Sequence, residues 1–408
     1  AGRTMRRLLS ASHDRLAGRR PRVLLDGGWE GAFGFGDGTP KGRRFRETPP
    51  ADATWRPVLP RGRFPRVDGK EVQMAWFRRR VAVPSAFAGQ RVLFKAERLS
   101  SNARIFVNGR LVKAVSRAEY ELPVEADITD ALVPGENEIL IAAQGVLSRY
   151  TDEDLAKERE PTYQDWRLPG GPVNFTDPSL EARPALALVK RPFVETSVTG
   201  RTITVTTDVP AGCSVSHRVL RQGREVLPPF ADGVRVLWMN PILWGPRQFP
   251  LLELETTLKD AQGRVCDVLS TRFGFREFTT RGMDILWNGV PYRGYARGAC
   301  NAFGGYGVAS NGAHEHRRAY LLDRLEAGLA DGARFGRHIR YPEIWYDFCD
   351  EQGLPCSFTS ANCPFGQMEA RFLGNDVYWQ TKEQSDCAMV DAYGHHPSIF
   401  LWYVSNEF

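Results

Sequence analysis

Residues 395–407 read HHPSIFLWYVSNE, and this stretch decides the fold of the C-terminal part of the chain. The apolar run from Ile399 to Val404 is typical of a strand that is buried on both faces, as in a parallel sheet. An amide and a carboxylate, Asn406 and Glu407, follow the run. Polar side chains at the C-terminal ends of barrel strands usually belong to an active site. The stretch therefore predicts a parallel strand that carries Asn406 and Glu407 into a functional site.

Strand and helix patterns alternate in the residues before this stretch. Strands are expected at 291–297, 334–341 and 354–358, and helices at 314–330, 344–352 and 377–392. Alternation of this kind indicates βαβ units and a parallel sheet. Four such units make the first half of a TIM (β/α)8 barrel, which we assign to residues 278–408. Because a half barrel leaves an open parallel edge and an uncovered core, we expect the natural polypeptide to continue.

Residues 1–183 are expected to form a β-sandwich. Short alternating runs such as 73–81, 91–95 and 103–107 are separated by turn residues. Asn108-Gly109, between two apolar runs, is the strongest of the hairpin signals. Such a series of short strands predicts an antiparallel sandwich.

Residues 184–277 form a second β-rich block. Alternation returns at 203–207 and 252–256, and Asp260-Ala261-Gln262-Gly263 predicts a turn between strands. The length fits an immunoglobulin-like sandwich, which takes roughly 100 residues. The expected fold class is therefore a multidomain β plus α/β protein.

Composition and charge disfavour several function classes. The 408 residues are 42% hydrophobic and 25% charged, which is ordinary for a globular protein. No run reaches the roughly 18 apolar residues of a membrane span, so no membrane-spanning segment is expected. The net charge of +6 is spread along the chain without an accompanying motif. Nucleic acid is therefore not an expected partner, and an anionic sugar substrate would match the positive charge better.

The cysteine and histidine residues predict neither a metal site nor a cofactor. The seven cysteines lack the paired spacing of a zinc site and are expected to be buried free thiols, although Cys356 and Cys363 could bridge in an oxidising compartment. His396 is expected to order the turn before the last strand. The chain begins at Ala1 and has no apolar signal core, which fits a mature secreted protein and a trimmed fragment equally well. Localisation stays open, with the periplasm or secretion slightly favoured over the cytoplasm.

Residues 395–407 resemble the acid/base signature of glycoside hydrolase family 2, the retaining exo-glycosidases that include β-galactosidases, β-glucuronidases and β-mannosidases. The matching residues are His396, Pro397, Ser398, Trp402, Asn406 and Glu407, whereas His395 and Tyr403 depart from the pattern. Segments such as Trp76-Phe77-Arg78-Arg79 and Leu243-Trp244-Gly245-Pro246 also resemble this family. The resemblance implies that the first sandwich is a jelly roll with a sugar-binding-like fold and that the substrate is a carbohydrate.

The resemblance also implies roles for individual residues. Glu407 would be the acid/base, and Asn406 would bind the sugar 2-hydroxyl. Arg337 would support an ionised nucleophile, although Arg337 and Arg340 could exchange roles. The nucleophile of this family is a Glu on a later barrel strand, so it is expected beyond residue 408. Residues 1–408 alone are then expected to show no glycosidase activity.

Three further residues are candidates for substrate binding. Tyr341 belongs to the same signature as Arg337, and Arg293 follows the entry into the expected first barrel strand. For Arg293 we favour a role as a buried structural cation within the barrel, and a position beneath the catalytic carboxylates is the alternative. Trp402 could stack on a sugar face or pack in the core.

The leading hypothesis is a retaining exo-β-glycosidase that removes terminal sugars from oligo- or polysaccharides. A non-catalytic carbohydrate-binding pseudoenzyme and a structural β-sandwich assembly module are the alternatives. The sequence leaves homo-oligomer formation open. It also does not identify the sugar or the linkage.

Overall fold

The computed structural model describes residues 20–35, 45–64, 66–100, 102–116, 119, 122–144, 173–292, 343–359 and 376–403. The predicted helix at 314–330 and the predicted strand at 334–341 lie outside these residues. So does Cys363, and the possible bridge to Cys356 stays a prediction.

The described residues up to 183 form a β-sandwich, which we call the first sandwich. Its strands are β1 Arg22–Leu24, β2 Trp29–Phe35, β3 Arg56–Val58, β4 Arg61–Phe64, β5 Arg66–Val67, β6 Lys70–Ala82, β7 Arg91–Ala96, β8 Arg98–Leu99, β9 Asn102–Val107, β10 Arg110–Val115, β11 Val124–Asp127, β12 Glu136–Gln144, β13 Val173–Thr176 and β14 Ser179–Arg183. The larger sheet has the order β10-β9-β12-β6-β2-β3, with β5 also paired to β6. It packs on the sheet β1-β14-β7-β11, and β4-β13-β8 form a small third sheet.

The centre of strand β6, from Met74 to Phe77, is apolar without alternation because both of its faces are covered. Ala75 and Phe77 face the core between the sheets. Met74 and Trp76 lie on the other face and pack against residues of the 45–55 segment. The indole N–H of Trp76 donates to the backbone oxygen of Arg46 at 3.0 Å. A strand covered on both sides buries successive residues instead of every second one.

The hairpin predicted at Asn108-Gly109 is confirmed. These two residues join β9 to β10, and their φ angles of 50° and 78° both lie in the left-handed region. A two-residue turn with positive φ at both positions matches the twist of the flanking strands. The Asn108 side chain also donates to Asn137 Oδ1 at 2.8 Å and ties the hairpin to the start of β12.

A second sandwich is built from strands that follow residue 192. They are β15 Phe193–Ser197, β16 Thr202–Thr206, β17 Ser214–Arg221, β18 Arg224–Ala231, β19 Val236–Leu237, β20 Leu252–Lys259 and β21 Val265–Phe273. The sheets β15-β16-β19 and β18-β17-β20-β21 share a core that includes Val205, Leu254 and Phe275. The predicted turn at 260–263 is confirmed, since Asp260 N donates to the oxygen of Arg264 at 3.0 Å.

Three short antiparallel strands follow, namely β22 Phe278–Arg281, β23 Asp284–Trp287 and β24 Val290–Tyr292. A barrel strand was expected at 291–297. The described part of that range, Pro291 and Tyr292, pairs antiparallel with β23. Sequence alternation detects a strand but not its partner, which explains the difference.

The remaining elements alternate between helix and strand, as predicted. They are α1 Glu343–Gln352, β25 Cys356–Thr359, α2 Asp376–Tyr393 and β26 Ile399–Tyr403. Strands β25 and β26 are parallel neighbours. This arrangement agrees with the βαβ units predicted from the sequence, whereas the half barrel itself stays a prediction. Among the described helices, none is both long and apolar enough to cross a membrane.

Helix α1 ends against the second sandwich. Gly353 follows it with a φ of 62°, and a Cβ at this position would lie 1.8 Å from the ring of Phe249. The indole N–H of Trp244, which is fully buried, donates to the backbone oxygen of Asp350 at 2.8 Å. A residue with a side chain would therefore push the end of α1 away from the sandwich.

The aromatic cluster around Phe77 yields a stability prediction. The centroid of the Phe77 ring lies 5.0 Å from that of Phe175 and 5.1 Å from that of Phe64. Phe77→Ala should lower the unfolding free energy of the first sandwich by about 3–5 kcal/mol, because it removes a buried ring and leaves a cavity. Native-state hydrogen exchange of β6 measures this loss. Leu111→Ala, at a position that is 47% exposed, is the control, and an equal loss in both variants would contradict the core assignment.

Candidate functional site

Strand β26 leads toward the residues that the sequence identifies as catalytic candidates. It pairs with β25 through Cys356↔Ile399, Ser357↔Leu401, Phe358↔Trp402 and Thr359↔Tyr403. Because the pair is parallel, both strands end at the same edge. The predicted site residues Glu407, Asn406, Arg337, Arg293 and Tyr341 lie outside the described residues. Their positions and roles stay predictions.

Trp402 is the one predicted site residue that the structure describes. It is partly buried, and its ring centroid lies 5.5 Å from that of Phe358 on the neighbouring strand. Phe358 in turn contacts Tyr393 of α2 at 4.8 Å between centroids. One contact of Trp402 is therefore packing within the β25–β26 pair, and its role toward a sugar stays a prediction.

The turn that begins β26 is held by Asp350 of α1. His396 Nδ1 lies 2.7 Å from one carboxylate oxygen of Asp350, and the backbone N–H of Ser398 donates to the other at 3.0 Å. All three residues are buried. The backbone oxygen of Ser398 accepts the N–H of Cys356 at 2.8 Å, which links the turn to β25. The prediction that His396 orders this turn is confirmed.

A guanidinium from the second sandwich holds the same turn from another side. Arg276 donates to the backbone oxygen of Pro397 at 3.2 Å and to that of Ile399 at 2.8 Å. Burial lowers the pKa of Arg276 to about 10, because its contacts are mostly with neutral carbonyl groups. Phe278, which follows in the chain, packs on Phe400 with 4.8 Å between ring centroids. The start of β26 is thus fixed by both polar and aromatic contacts.

Two further arginines neutralise the acidic face of α1. Arg191 Nη1 lies 2.6 Å from Glu343 Oε1 and 3.0 Å from His395 Nε2. Arg272 donates to Glu351 at 2.8 Å and also pairs with Asp347. We call this group of arginines, α1 carboxylates and the two histidines the junction. Sequence reasoning did not predict it.

The junction sets the protonation of its members. Burial would raise the pKa of Glu343, but Arg191, His396 and Lys95 together outweigh burial and lower that pKa to about 2. Burial lowers the pKa of His395 well below its usual value, and His396, Arg191 and Arg272 act in the same direction. His395 is therefore neutral and can accept a hydrogen bond from Arg191.

A sequence signal for the junction exists in the spacing of acidic residues on α1. Positions 343, 347, 350 and 351 are all acidic and fall on one helical face. A charged helical stripe usually faces water. Here it is turned inward, because arginines distant in the sequence meet it.

The described residues offer two sets of side chains with the chemistry of metal ligands. Glu343, His395 and His396 form one set, and Asp347, Asp350 and His396 form the other, each with its ligand atoms within 4.8 Å of one another. Arg191 lies between Glu343 and His395, and Arg272 is paired with Asp347. Because guanidinium groups already take the positions of a cation, these residues do not fit a metal site.

Glu97 of the first sandwich also reaches the junction. Its Oε1 accepts the backbone N–H of Glu343, the first residue of α1, at 3.1 Å. This bond satisfies one of the free donors at the helix N-terminus. Burial, followed by the nearby charge of Glu343, raises the pKa of Glu97 to about 7. Helix α1 is thus contacted by side chains from both sandwiches.

Comparison with known proteins places this architecture among glycosidases. No family model matches the chain. A β-galactosidase of Alteromonas mediterranea is 24% identical over 356 residues, which cover 81% of this chain and 32% of that protein. A β-glucuronidase of Paenibacillus borealis is 24% identical over 367 residues, which cover 81% of this chain and 58% of that protein.

The chain is thus similar to β-galactosidases and β-glucuronidases, which are glycoside hydrolases. The structure of a β-glucuronidase from Ruminococcus gnavus superposes with a TM-score of 0.73 at 20% identity, covering 96% of this chain and 68% of the other. This likeness shows that the chain shares its fold with that β-glucuronidase over the matched residues. The chain spans between 32% and 58% of the length of the two curated relatives.

The environment of Glu97 predicts a pH effect on stability. Its pKa is about 7 in the folded protein, against an ordinary value of 4.5. The folded state therefore binds this proton more tightly, so stability contributed by Glu97 is full below pH 4.5 and is lost as the pH rises toward 7. Glu97→Gln removes the ionised carboxylate and should raise the melting temperature more at pH 8 than at pH 5.

Glu125 provides the control of opposite sign for that measurement. Burial would raise its pKa, but Lys95 and Arg183 outweigh burial and lower the pKa to about 2. The stability that Glu125 contributes is thus present above its ordinary pKa of 4.5 and is lost as the pH falls toward 2. Glu125→Gln should lower the melting temperature at both pH 5 and pH 8. A Glu97→Gln effect that does not depend on pH would contradict the assignment.

Proposed function

We propose that the complete protein is a retaining exo-β-glycosidase that hydrolyses terminal sugars from oligo- or polysaccharides. The observation that carries this proposal is strand β26, a parallel strand in a fold shared with a β-glucuronidase, whose sequence continues into Asn406-Glu407. The relatives' names suggest β-galactosides and β-glucuronides as the first substrates to test. A uronic acid would also suit the net charge of +6.

The proposal includes a division of the chain into three domains. Residues 1–183 would be a jelly roll with a sugar-binding-like fold, and residues 184–277 an immunoglobulin-like sandwich. Residues 278–408 would be the first half of a (β/α)8 barrel. The described α1, β25, α2 and β26 have the order that such a barrel requires.

In the proposed reaction Glu407 is the acid/base. It first donates a proton to the departing glycosidic oxygen and then takes one from the attacking water. To be protonated near neutral pH, its pKa must be raised by an apolar wall or by a nearby carboxylate. The nucleophile would be a second carboxylate about 5 Å away, contributed by a later strand of the complete barrel.

The other candidates would act on the substrate or on the nucleophile. Asn406 would donate its amide N–H to the sugar 2-hydroxyl, a bond that strengthens as the ring becomes oxocarbenium-like. Arg337 would keep the nucleophile ionised through a charge-assisted hydrogen bond. Trp402, Arg293 and Tyr341 would contribute to sugar binding.

Substitution of Glu407 tests the proposal in the full-length protein. Glu407→Gln should lower turnover by about 10²–10⁴-fold for aryl β-glycosides with poor leaving groups, because these need a proton to depart. Activated aryl β-glycosides need little protonation, so their glycosylation step should change much less. Steady-state kinetics on a graded series of leaving groups measures the difference.

The control for this experiment is Glu136→Gln, at an exposed position on β12. It should leave every substrate unaffected. An equal loss for good and poor leaving groups in Glu407→Gln, or no loss, would show that Glu407 is not the acid/base. Sugar binding without any turnover by the wild-type protein would favour the pseudoenzyme alternative.

A further inference from the structure

We infer that Asp350 is a positioning residue for the acid/base strand, with His396 as the donor through which it acts. This inference rests on the proposed function, since it concerns how Glu407 is placed. Asp350 lies on α1 and touches the start of β26, whereas Glu407 follows the end of that strand. It therefore acts on the site through the strand and not through contact with substrate.

The Asp350 carboxylate accepts bonds from two donors of one short turn. The donors are His396 Nδ1 at 2.7 Å and Ser398 N at 3.0 Å, and they use different carboxylate oxygens. Bonds to an ionised acceptor are about twice as strong as neutral ones. Because Asp350 is 2% exposed, water cannot readily replace either bond. The carboxylate thus fixes both the position and the direction in which β26 begins.

Asp350 can hold the turn because it is itself held. Its backbone oxygen accepts the indole N–H of the buried Trp244 at 2.8 Å. Its helix is paired to the second sandwich through Arg272, which bonds Asp347 and Glu351. Through α1, the turn is therefore anchored to the second sandwich. Side chains supported in this way keep catalytic groups within about 0.5 Å of a working geometry.

The start of a strand controls its end through register. Strand β26 spans Ile399–Tyr403, and after a register shift at Phe400 it pairs residue by residue with β25 from Leu401 to Tyr403. Each residue of a strand advances by roughly 3.3 Å. A slip of one residue would move the following side chains by that distance and place them on the opposite face. Even a displacement of about 1 Å in a reacting group can cost about 10²-fold in rate. Loss of the Asp350 bonds should therefore displace Glu407 and slow its proton transfer to the leaving group.

The first variant is Asp350→Asn in the full-length protein. The amide keeps one acceptor oxygen for Ser398 but presents an NH2 group to His396 Nδ1. The imidazole would then have to carry its proton on Nε2, which is buried and has no partner among the described residues. Turnover of poor leaving groups should fall by about 10–100-fold, with activated substrates less affected and KM nearly unchanged. Hydrogen exchange in β26 should become faster.

Two variants at His396 test the same contact independently, so that the inference can be decided even if Asp350→Asn impairs folding. His396→Asn places a donor near the position of Nδ1 and should keep most of the wild-type dependence on leaving group. His396→Gln places its amide near the position of Nε2 and should show the same selective loss as Asp350→Asn. A purely structural role would lower the active fraction equally for all substrates, so the leaving-group dependence separates the two roles.

The matched control is Glu383→Gln. Glu383 is an exposed residue of α2 and is not part of the junction. Its leaving-group dependence should equal that of the wild type. If Glu407→Gln behaves as proposed while Asp350→Asn and His396→Gln affect all substrates equally or not at all, the positioning role is wrong and the proposed function stands. If the wild-type protein hydrolyses no β-glycoside, both are wrong.

Discussion

The acidic face of α1 must be neutralised before the C-terminal elements can pack on the sandwiches. Its carboxylates are met by Arg191, which follows the first sandwich, by Arg272 of the second, and by His396 of the turn before β26. The Asp350–His396 pair is fully buried, and removing one partner from such a pair costs about 3–5 kcal/mol, because the other group is left without compensation. The helix can therefore dock in one orientation, where all its carboxylates find partners. The position of β26 follows from that orientation.

This constraint gives the two ends of β26 different roles. At its beginning, polar groups bond one another and backbone atoms, as Asp350, His396, Ser398 and Arg276 do. The bonds of this network are made within the protein, and they hold the start of the strand in position. Beyond its end, the sequence continues into Asn406 and Glu407, for which we propose contacts with the substrate. Barrel enzymes commonly separate stability and chemistry between the two strand ends in this manner.

Much of the fold was predictable from local sequence, whereas the junction was not. Asn108-Gly109, the helix at 344–352 and the strand beginning at Ile399 each carry their own turn or periodicity signal, and the structure contains all three. The partners of α1 carry no such signal, because Arg272 and Asp347 are 75 residues apart and Asp350 and His396 are 46 apart. Periodicity shows that acidic residues share a helical face, but it does not show what that face meets. For the candidate site, the sequence supplied the residues and the structure supplied the anchoring of their strand.

Ion pairs and aromatic contacts contribute differently to holding β26. A buried pair stabilises little compared with apolar groups of the same size, because desolvation offsets most of the attraction. Its geometry is nevertheless specific, since a displaced pair leaves two unsatisfied charges. The rings of Phe400 with Phe278 and of Trp402 with Phe358 bury apolar surface and tolerate small shifts. We therefore attribute the free energy of docking mainly to the aromatic contacts, and the register in which the strand docks to Asp350 and Arg276.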